Sequence, residues 1–537
     1  MSTDSVDVVI VGAGPSGAVV AHTLATRGFS VTCLEQGDWV GANDFATNYP
    51  EWELLGHRRF SHHPNVRQLP ADYPMNVEAA DMSPTMWNGV GGGSLYFGAE
   101  WPRLTPSDFR VRTLDGVADD WPISYDDVTP FHKAVGAFIG ITGLEDDPAY
   151  PAGQFYPQPP LPIGRAGRRA AEGMNKMGWH WWPGDQAIPS YRIKNLEPCA
   201  RYGVCERGCP NGSKASFDIS YWPHALAAGA KLRTGARASR IVTNGDGRAT
   251  GVEWIDRHGT QHLERGNAVV VCANGVGTPR LLLLSASPQH PNGLANSSGL
   301  VGKNLMQHPN CGVTGYYEDE LQSWLGPAGQ LIASMQFYET DPRRGLVRGA
   351  KWQALPTPGP LSAVQTHQYL AFDDAWGANF HRIAATHGHG FLWAANMEDL
   401  PEEHNRVTLD PDLKDADGIP APKIDYRISA NTRGLMKFTI ARMIEAHEAG
   451  GAVETVPVEH RLDSPGHILG TARMGNDPGS SVVNPFGRAH DVPNLYVADG
   501  SIFVTSGAVN PTSTITALAL RTATHIAEIA RHERVVA

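Results

Sequence analysis

The stretch VDVVIVGAGPSG at residues 6–17 decides the fold of this chain. Its apolar, β-branched first half predicts a strand, and the run 18–26 after the glycines predicts a helix. Gly12 permits a tight turn, Gly14 lets the backbone approach a pyrophosphate, and Gly17 lets helix and strand pack closely. The N–H groups and positive dipole end of the helix favour an anion, so the stretch predicts a dinucleotide-binding site.

A carboxylate follows at the interval that such a site requires. The next predicted strand, 30–34, ends at Glu35, about 20 residues after the glycine turn. An acid there accepts hydrogen bonds from the adenosine ribose and favours an unphosphorylated ribose. Strand, turn, helix and acid together favour a dinucleotide site over a purely structural turn, and both NAD and FAD fit it.

Bulk composition limits the classes of protein that the chain can belong to. A length of 537 residues predicts two or more domains, and 41% hydrophobic with 18% charged residues is typical of a packed globular protein. The 44 basic and 55 acidic residues give a net charge of −11 without a long single-sign block, which argues against nucleic-acid binding. We expect neither a membrane span nor an export signal, because no run of about 18 apolar residues and no apolar leader occur.

Four later segments carry glycine loops or strand–turn patterns. They are 88–94 (NGVGGGS), followed by WPR at 101–103; 269–282 (VVVCANGVGTPRLL); 301–309 (VGKNLMQHP); and 494–501 (NLYVADGS), running on to NPT at 510–512. In this order they resemble the glucose–methanol–choline (GMC) family of flavoprotein oxidoreductases over nearly the whole chain. The resemblance implies bound FAD and an α/β fold, with a Rossmann-like FAD-binding domain and an antiparallel-sheet substrate-binding domain.

The resemblance also assigns cofactor-binding residues. The glycines of the 89–93 loop can approach the isoalloxazine without a side-chain clash. Asp499, which follows an apolar strand, can accept from ribityl or diphosphate-linked hydroxyls, or can cap the helix predicted at 512–529. His62, His63 and Tyr96 are candidates for covalent attachment of FAD. The residues assigned to FAD binding are Gly12, Gly14, Gly17, Glu35, Gly91, Gly92, Gly93, Ser94, Ala273, Asp499, Gly500 and Thr512.

The segment HILGTARMG at 467–475 resembles the catalytic-histidine region of the family, and Asn510 matches the partner position. Oxidising an alcohol removes a hydride and a hydroxyl proton, and histidine titrates in the range that a base needs. The resemblance therefore implies that His467 takes the proton as hydride leaves for flavin N5, while Asn510 donates to the oxygen. An ordinary NAD dehydrogenase would leave 269–284 and the C-terminal segment unexplained.

The substrate is predicted less directly. Segments 91–103 and 199–216 resemble the sugar-oxidising branch, which implies a sugar, glycoside or sugar acid, and a non-sugar alcohol stays open. Four tryptophans at 324, 352, 376 and 393 are a pattern expected of a sheet floor with aromatic faces over the flavin, although aromatic side chains lie more often in a protein core. A non-catalytic flavoprotein that only relays electrons is the alternative from another class, but a relay needs no proton acceptor such as His467.

Three cysteines lie close together, and Cys199, Cys205 and Cys209 are separated by five and then three residues. Thiolates so spaced can surround a soft metal centre. The spacing resembles the segment that holds a [3Fe–4S] cluster in the large subunit of bacterial membrane-associated flavin glucose dehydrogenases. A disulfide with one free thiol, loop packing, and a zinc site with Asp218 remain alternatives. The other cysteines, at 33, 272 and 311, are expected to be packing residues.

The presence or absence of an iron–sulfur cluster changes the electron acceptor, the partner subunit and the cellular location that we expect. With it, electrons would pass singly to a cytochrome or quinone, and a small companion subunit could carry the chain to the periplasm. Without it, a stand-alone cytoplasmic oxidase or dehydrogenase is the simpler expectation. The FAD-binding domain is predicted to be discontinuous, at 1–110, 195–315 and 455–537, and the substrate-binding domain and connecting segments occupy 111–194 and 316–454.

Overall fold

The computed structural model describes residues 5–55, 59–357, 359, 376–459 and 466–536. The strands are β1 Val6–Val11, β2 Val31–Leu34, β3 Asn76–Ala80, β4 Trp182–Pro183, β5 Lys231–Arg233, β6 Arg237–Thr243, β7 Ala249–Ile255, β8 Gln261–Val271, β9 Asn310–Tyr316, β10 Ile332–Ser334, β11 Ala350–Leu355, β12 Gly390–Met397, β13 Arg406–Lys414, β14 Pro420–Tyr426, β15 Glu454–Val458 and β16 Leu495–Val497. The helices are α1 Pro15–Ala25, α2 Trp52–Leu55, α3 Pro64–Arg67, α4 Val111–Asp115, α5 Tyr125–Ile139, α6 Gly164–Met177, α7 Phe217–Ser220, α8 Trp222–Ala227, α9 Asn274–Leu284, α10 Gly377–Ala384, α11 Ala430–Ala449 and α12 Thr512–Val536. Short 3-10 turns lie at Ala42–Asp44, Ala46–Asn48, Gly92–Leu95, Pro106–Phe109, Cys205–Arg207, Pro342–Arg344 and Gly500–Ile502.

A seven-stranded sheet holds the glycine fingerprint. Its order is β5-β2-β1-β8-β7-β6, with β16 also paired to β8. The strand β1 runs parallel to β2 and β8, which gives the crossover geometry of a dinucleotide-binding fold. The helix α1 begins at Pro15, earlier than the sequence indicates, because proline suits the first turn of a helix.

A six-stranded antiparallel sheet forms a second layer, in the order β15-β9-β12-β11-β10-β4. One of its faces packs against α6 and α11 through a buried hydrophobic cluster that includes Trp352 and Trp393. Side chains alternate across a strand, so Lys351 and Gln353 lie on the opposite face. With the parallel sheet, this second sheet confirms the predicted α/β class with a Rossmann-like unit and an antiparallel sheet.

The aromatic floor predicted over the flavin is wrong. Trp352 and Trp393 point into the apolar cluster between the sheet and the helices α6 and α11. Trp324 packs against His387, and Trp376 is 75% exposed.

A small third sheet joins β13, β14 and β3, and two apolar clusters fill the interior on either side of the seven-stranded sheet. The helices α1 and α5 both pack against α12, which brings the C-terminal helix beside the N-terminal fingerprint. Within the ranges that the structure describes, no helix has the combined length and apolarity needed to cross a membrane.

Candidate active site

The glycine turn between β1 and α1 forms one end of a deep cleft. Gly12 adopts φ +100° and donates from its backbone N to the carbonyl of Leu34 at 2.9 Å. A Cβ on Gly17 would lie 1.9 Å from the Gly12 carbonyl oxygen, so only glycine allows this approach of helix and strand. The N-terminus of α1 has neither a side-chain cap nor an acidic first turn, which leaves its N–H groups for an anion.

The second glycine loop lies directly against the first. Gly91 donates from its backbone N to the carbonyl of Ala13 at 2.9 Å. Gly92 adopts φ +53°, and a Cβ there would lie 2.9 Å from the Cα of Gly14. Two backbone segments therefore meet where side chains cannot fit, and together they form a cradle for a diphosphate-linked cofactor.

The cleft encloses about 1610 Å³ of space, including the part open to solvent. Ten of the twelve residues assigned to FAD line it, while Gly17 and Gly91 pack behind the turns. Sequence reasoning missed several lining residues, because they come from distant parts of the chain without a recognisable motif. These include Tyr73, Thr85, Met86, Trp87, Ala236, Ala238, Leu284 and Ile515.

Of the three candidates for covalent attachment, His62 and Tyr96 line the cleft and His63 does not. The Nδ1 of His63 accepts from the backbone N of Asn65 at 3.1 Å and so caps α3. The Nε2 of His62 lies 3.1 Å from the carbonyl oxygen of Glu206, and burial lowers the pKa of His62 to about 3.

Glu35 also fixes the glycine turn. Its Oε2 accepts from the backbone N of Ala13 and its Oε1 from that of Gly37, both at 2.8 Å. Burial raises the pKa of this carboxyl. Each oxygen has a second lone pair, so these bonds leave Glu35 able to accept from a ribose hydroxyl.

Asp499 lines the cleft but receives four hydrogen bonds from the protein. Its Oδ2 accepts from the backbone N of Asn274 at 3.1 Å and the Oγ1 of Thr278 at 2.5 Å. Its Oδ1 accepts from Ser501 N and Oγ, which caps the turn Gly500–Ile502 and not α12. Asp499 therefore ties the start of α9 to the C-terminal segment, and its contact with FAD stays a prediction.

Replacing Gly92 by alanine is expected to weaken FAD binding by about 30-fold, because the clash with Gly14 and the positive φ together cost roughly 2 kcal/mol. The measurement is the FAD-to-protein ratio and the dissociation constant after stripping and reconstitution. Gly245→Ala is the matched control, since a Cβ there meets nothing within 4 Å. An unchanged FAD affinity in Gly92→Ala would contradict the cradle.

His467 lies at the edge of the cleft, is 8% exposed, and is hydrogen-bonded to a second histidine. The Nδ1 atoms of His467 and His308 are 2.8 Å apart, and the Nε2 of His308 lies 2.8 Å from the carbonyl oxygen of Gly507. Burial lowers the pKa of His308 to about 4 and lowers that of His467 well below its usual value. Both imidazoles are therefore neutral at pH 7.

The carbonyl of Gly507 determines which nitrogen carries each proton. A carbonyl only accepts, so the Nε2 of His308 donates and its Nδ1 is left as an acceptor. The Nδ1 of His467 must then donate to His308, which leaves the Nε2 of His467 unprotonated. His467 thus has a free basic nitrogen, as a general base requires.

Asn510 is bound through its amide oxygen. Its Oδ1 accepts from the Nζ of Lys351 at 2.8 Å and from the Nδ2 of Asn396 at 3.3 Å. Lys351 also interacts electrostatically with His467, which places one charge near both residues assigned to catalysis, although Asn510 itself does not line the cleft. His308 lies within the 301–309 motif, which is the signal that could have singled it out, whereas Lys351 and Asn396 have no motif.

A buried ionic network holds the loop before Asn510. The hydroxyl of Tyr338 accepts from the backbone N of Ala508 at 3.1 Å and donates to Asp108 at 2.8 Å. Asp108 also pairs with the guanidinium of Arg348, whose Nε donates to Glu398 at 2.7 Å. Buried charges that are paired in this way fix the position of a loop. The loop that leads to Asn510 is therefore held in place.

The three clustered cysteines line a separate pocket of about 340 Å³, part of it open to solvent. All six cysteines are free thiols, so the disulfide alternative is wrong. Asp218 lies against Gly91 and does not line this pocket, which removes the zinc alternative. Among the described residues no group of three Cys, His, Asp or Glu side chains is placed to hold a metal, so the geometry does not support the [3Fe–4S] cluster. Cys33, Cys272 and Cys311 are buried, as expected of packing residues.

Sequence comparisons identify the family. Models of GMC oxidoreductases match residues 168–310 and 401–519, and a model of NAD(P)-binding Rossmann-like domains matches 10–77. The chain is 42% identical to 2-methyl-1,2-propanediol dehydrogenase of Mycolicibacterium austroafricanum, covering 98% of this chain and 96% of the relative. The chain is a GMC oxidoreductase.

A second relative agrees with this assignment, and a solved structure shares the fold. The fructose dehydrogenase large subunit of Gluconobacter japonicus is 30% identical to this GMC oxidoreductase, with 97% of each chain covered. The crystal structure of pyridoxine 4-oxidase from Mesorbium loti matches the fold with a TM-score of 0.63 at 17% identity, over 97% of this chain and 98% of the other.

Family membership establishes the class of reaction. This GMC oxidoreductase is an FAD-dependent enzyme that acts on CH–OH groups of alcohol- or sugar-type substrates. The glycine cradle and the uncapped N-terminus of α1 fit FAD, because they offer backbone N–H groups and space where no Cβ is tolerated.

Proposed function

We propose that this GMC oxidoreductase oxidises one hydroxyl of a substrate that carries neighbouring hydroxyls, either a small vicinal diol or a sugar, glycoside or sugar acid. His467 is the base and Asn510 is the hydrogen-bond donor to the reacting oxygen. The observation that carries the proposal is the proton order of the His467–His308 pair, which leaves the Nε2 of His467 free beside the cleft. A subunit that only relays electrons has no need of this arrangement.

In the proposed mechanism the protein residues bind, orient and deprotonate the alcohol. Bound FAD supplies the hydride acceptor. The Nε2 of His467 accepts the hydroxyl proton, and the pair with His308 keeps the imidazole in the required tautomer. The Nδ2 of Asn510 donates to the substrate oxygen as negative charge develops on it.

The polar sheet face beside Asn510 supports a substrate that carries hydroxyls. Asn310, Asn396 and Lys351 are direct cross-strand neighbours and so lie on one face of the antiparallel sheet. Two residues further along, Gln353 and Ala394 continue that face. These buried positions carry amide and ammonium groups that hydrogen-bond to one another and to Asn510, and they hold no aromatic ring on which a sugar could stack.

The test is anaerobic mixing of the holoenzyme with 2-methyl-1,2-propanediol, fructose and a methyl β-glucoside in turn. Bleaching of the flavin absorbance by the diol alone assigns a small diol, and bleaching by either carbohydrate assigns a sugar-type substrate. An enzyme that none of the three reduces, yet that dithionite reduces, would refute this substrate class.

The domain division and the electron acceptor are part of the same proposal. We assign FAD binding to 1–110, 195–315 and 455–537, and the substrate side to 111–194 and 316–454. The proposal of a [3Fe–4S] cluster rests only on the sequence spacing of Cys199, Cys205 and Cys209, which share one pocket but are not placed to hold a metal. About three irons per chain with a matching electron paramagnetic resonance signal would support that cluster and a cytochrome or quinone acceptor with a companion subunit. Iron-free holoenzyme would exclude the cluster.

A further inference from the structure

A buried lysine contacts Asn510 and interacts electrostatically with His467, the two residues assigned to catalysis. Lys351 is 1% exposed and stands at the second position of β11, on the face turned away from α6 and α11. Its Nζ donates to the Oδ1 of Asn510 at 2.8 Å and to the Oε1 of Gln353 at 2.9 Å. No motif marks this residue, and the mechanism above makes no use of its charge.

The chemistry of an ammonium group determines the orientation of the Asn510 amide. An ammonium has donors only, so the atom of Asn510 that faces Lys351 must be the oxygen. The Nδ2 of Asn396, whose own Oδ1 accepts from Asn310 at 3.0 Å, donates to the same oxygen. With Oδ1 held by two donors, the Nδ2 of Asn510 is directed away from Lys351 and remains available to the substrate.

The polar chain on the other side of Lys351 ends at a carboxylate. The Nε2 of Gln353 donates to the Oε1 of Glu100 at 3.2 Å, so the Oε1 of Gln353 is the acceptor for Lys351. Every hydrogen bond from Glu100 to Asn510 thus has one allowed direction. The direction of the hydrogen bonds is therefore fixed around Asn510, as it is in the His467–His308 pair.

We propose that Lys351 is a positioning residue that holds Asn510 as a hydrogen-bond donor and places a positive charge close to the oxygen that becomes negative during oxidation. The inference rests on the proposed roles of His467 and Asn510. It assigns a role to a buried charge on a residue that touches neither substrate nor cofactor in this arrangement.

The charge of Lys351 is sensitive to pH in the working range. Burial lowers the pKa of Lys351 to about 8, while the carboxyls of Glu100 and Asp185 act in the opposite direction. Burial in turn raises the pKa of both carboxyls, and the imidazoles of His308 and His467 also interact electrostatically with Lys351. Lys351 is therefore charged below about pH 8 and neutral above it.

The experiment compares the wild-type holoenzyme with Lys351→Met and Lys351→Arg. Anaerobic flavin reduction is followed from pH 6 to pH 10, using whichever of the diol, fructose or methyl β-glucoside bleaches the wild-type flavin fastest. We expect the wild-type rate to fall above about pH 8, and Lys351→Met to be about 100-fold slower at pH 7 with no decline near pH 8. Lys351→Arg, which keeps donors and charge, should recover part of the rate and retain it beyond pH 8.

Two further measurements separate this role from a structural one and from a failed substrate assignment. Binding of tert-butanol, an alcohol without a hydrogen to transfer, is titrated through the flavin absorbance and should weaken above about pH 8 in the wild type but not in the two Lys351 variants. Lys437→Met, at an exposed position of α11, should behave as wild type in both measurements. A Lys351→Met rate within threefold of wild type, or a wild type whose rate and alcohol binding are both unchanged across pH 8, would overturn the proposal.

Discussion

Replacing His467 by alanine is expected to slow flavin reduction by the alcohol about 10³- to 10⁴-fold while FAD stays bound. The variant removes the basic nitrogen that the hydrogen bond to His308 leaves free beside the cleft, and general-base catalysis contributes an effect of this size. The FAD should remain because the glycine cradle and α1 do not depend on His467. Stopped-flow absorbance under anaerobic conditions measures the rate, and the flavin spectrum measures occupancy.

His404→Ala is the control for this experiment. His404 is largely exposed, pairs with Glu402 at 3.1 Å, and lies outside the cleft, so its loss should leave flavin reduction unchanged. If the flavin of His467→Ala were reduced at the wild-type rate, the assignment of the base would be wrong. A flavoprotein that only relays electrons would then again be a candidate. If the variant lost its FAD, the comparison would be repeated with His467→Asn, which keeps more of the side-chain volume.

The parts of this enzyme that a sequence can predict are those where chemistry imposes a local pattern. Gly12 and Gly17 are such positions, since no other residue permits the backbone approach seen between β1 and α1. The same holds for His467, whose neighbours form a motif long enough to distinguish it from the other 21 histidines. Fold class, cofactor cleft and the place of His467 beside that cleft can therefore be predicted from the order of the residues alone, while its role as the base stays a prediction.

The parts that could not be predicted depend on strand pairing between distant segments. Lys351 and Asn396 are 45 residues apart in sequence and meet only because β11 pairs with β12 in one register. The error over the tryptophans has the same origin. Period-two alternation places Trp352 and Lys351 on opposite faces, but the sequence does not say which face meets the helices α6 and α11.

The second large effect is expected at His308, which touches no substrate in the proposed mechanism. His308→Leu removes the acceptor for the Nδ1–H of His467, so the catalytic imidazole can adopt the tautomer whose Nε2 carries the proton. An imidazole in the wrong tautomer cannot accept the hydroxyl proton, and errors of this kind lower rates on the order of 10²- to 10⁴-fold. The reduction rate with the best alcohol measures the loss, and the flavin spectrum should be unchanged.

His308→Asn is the matched variant, because its Oδ1 can occupy the position of the lost Nδ1 and accept from His467. Its rate of flavin reduction should be at least ten times that of His308→Leu, although both variants lose the bond to Gly507. The wild-type rate should also hold well below pH 6.5 and decline only near the pKa of His308, at about 4, where a protonated His308 would donate to His467 instead of accepting. Equal rates in the two variants, or an acid limb at pH 6.5, would show that the proton order of this pair does not control the base.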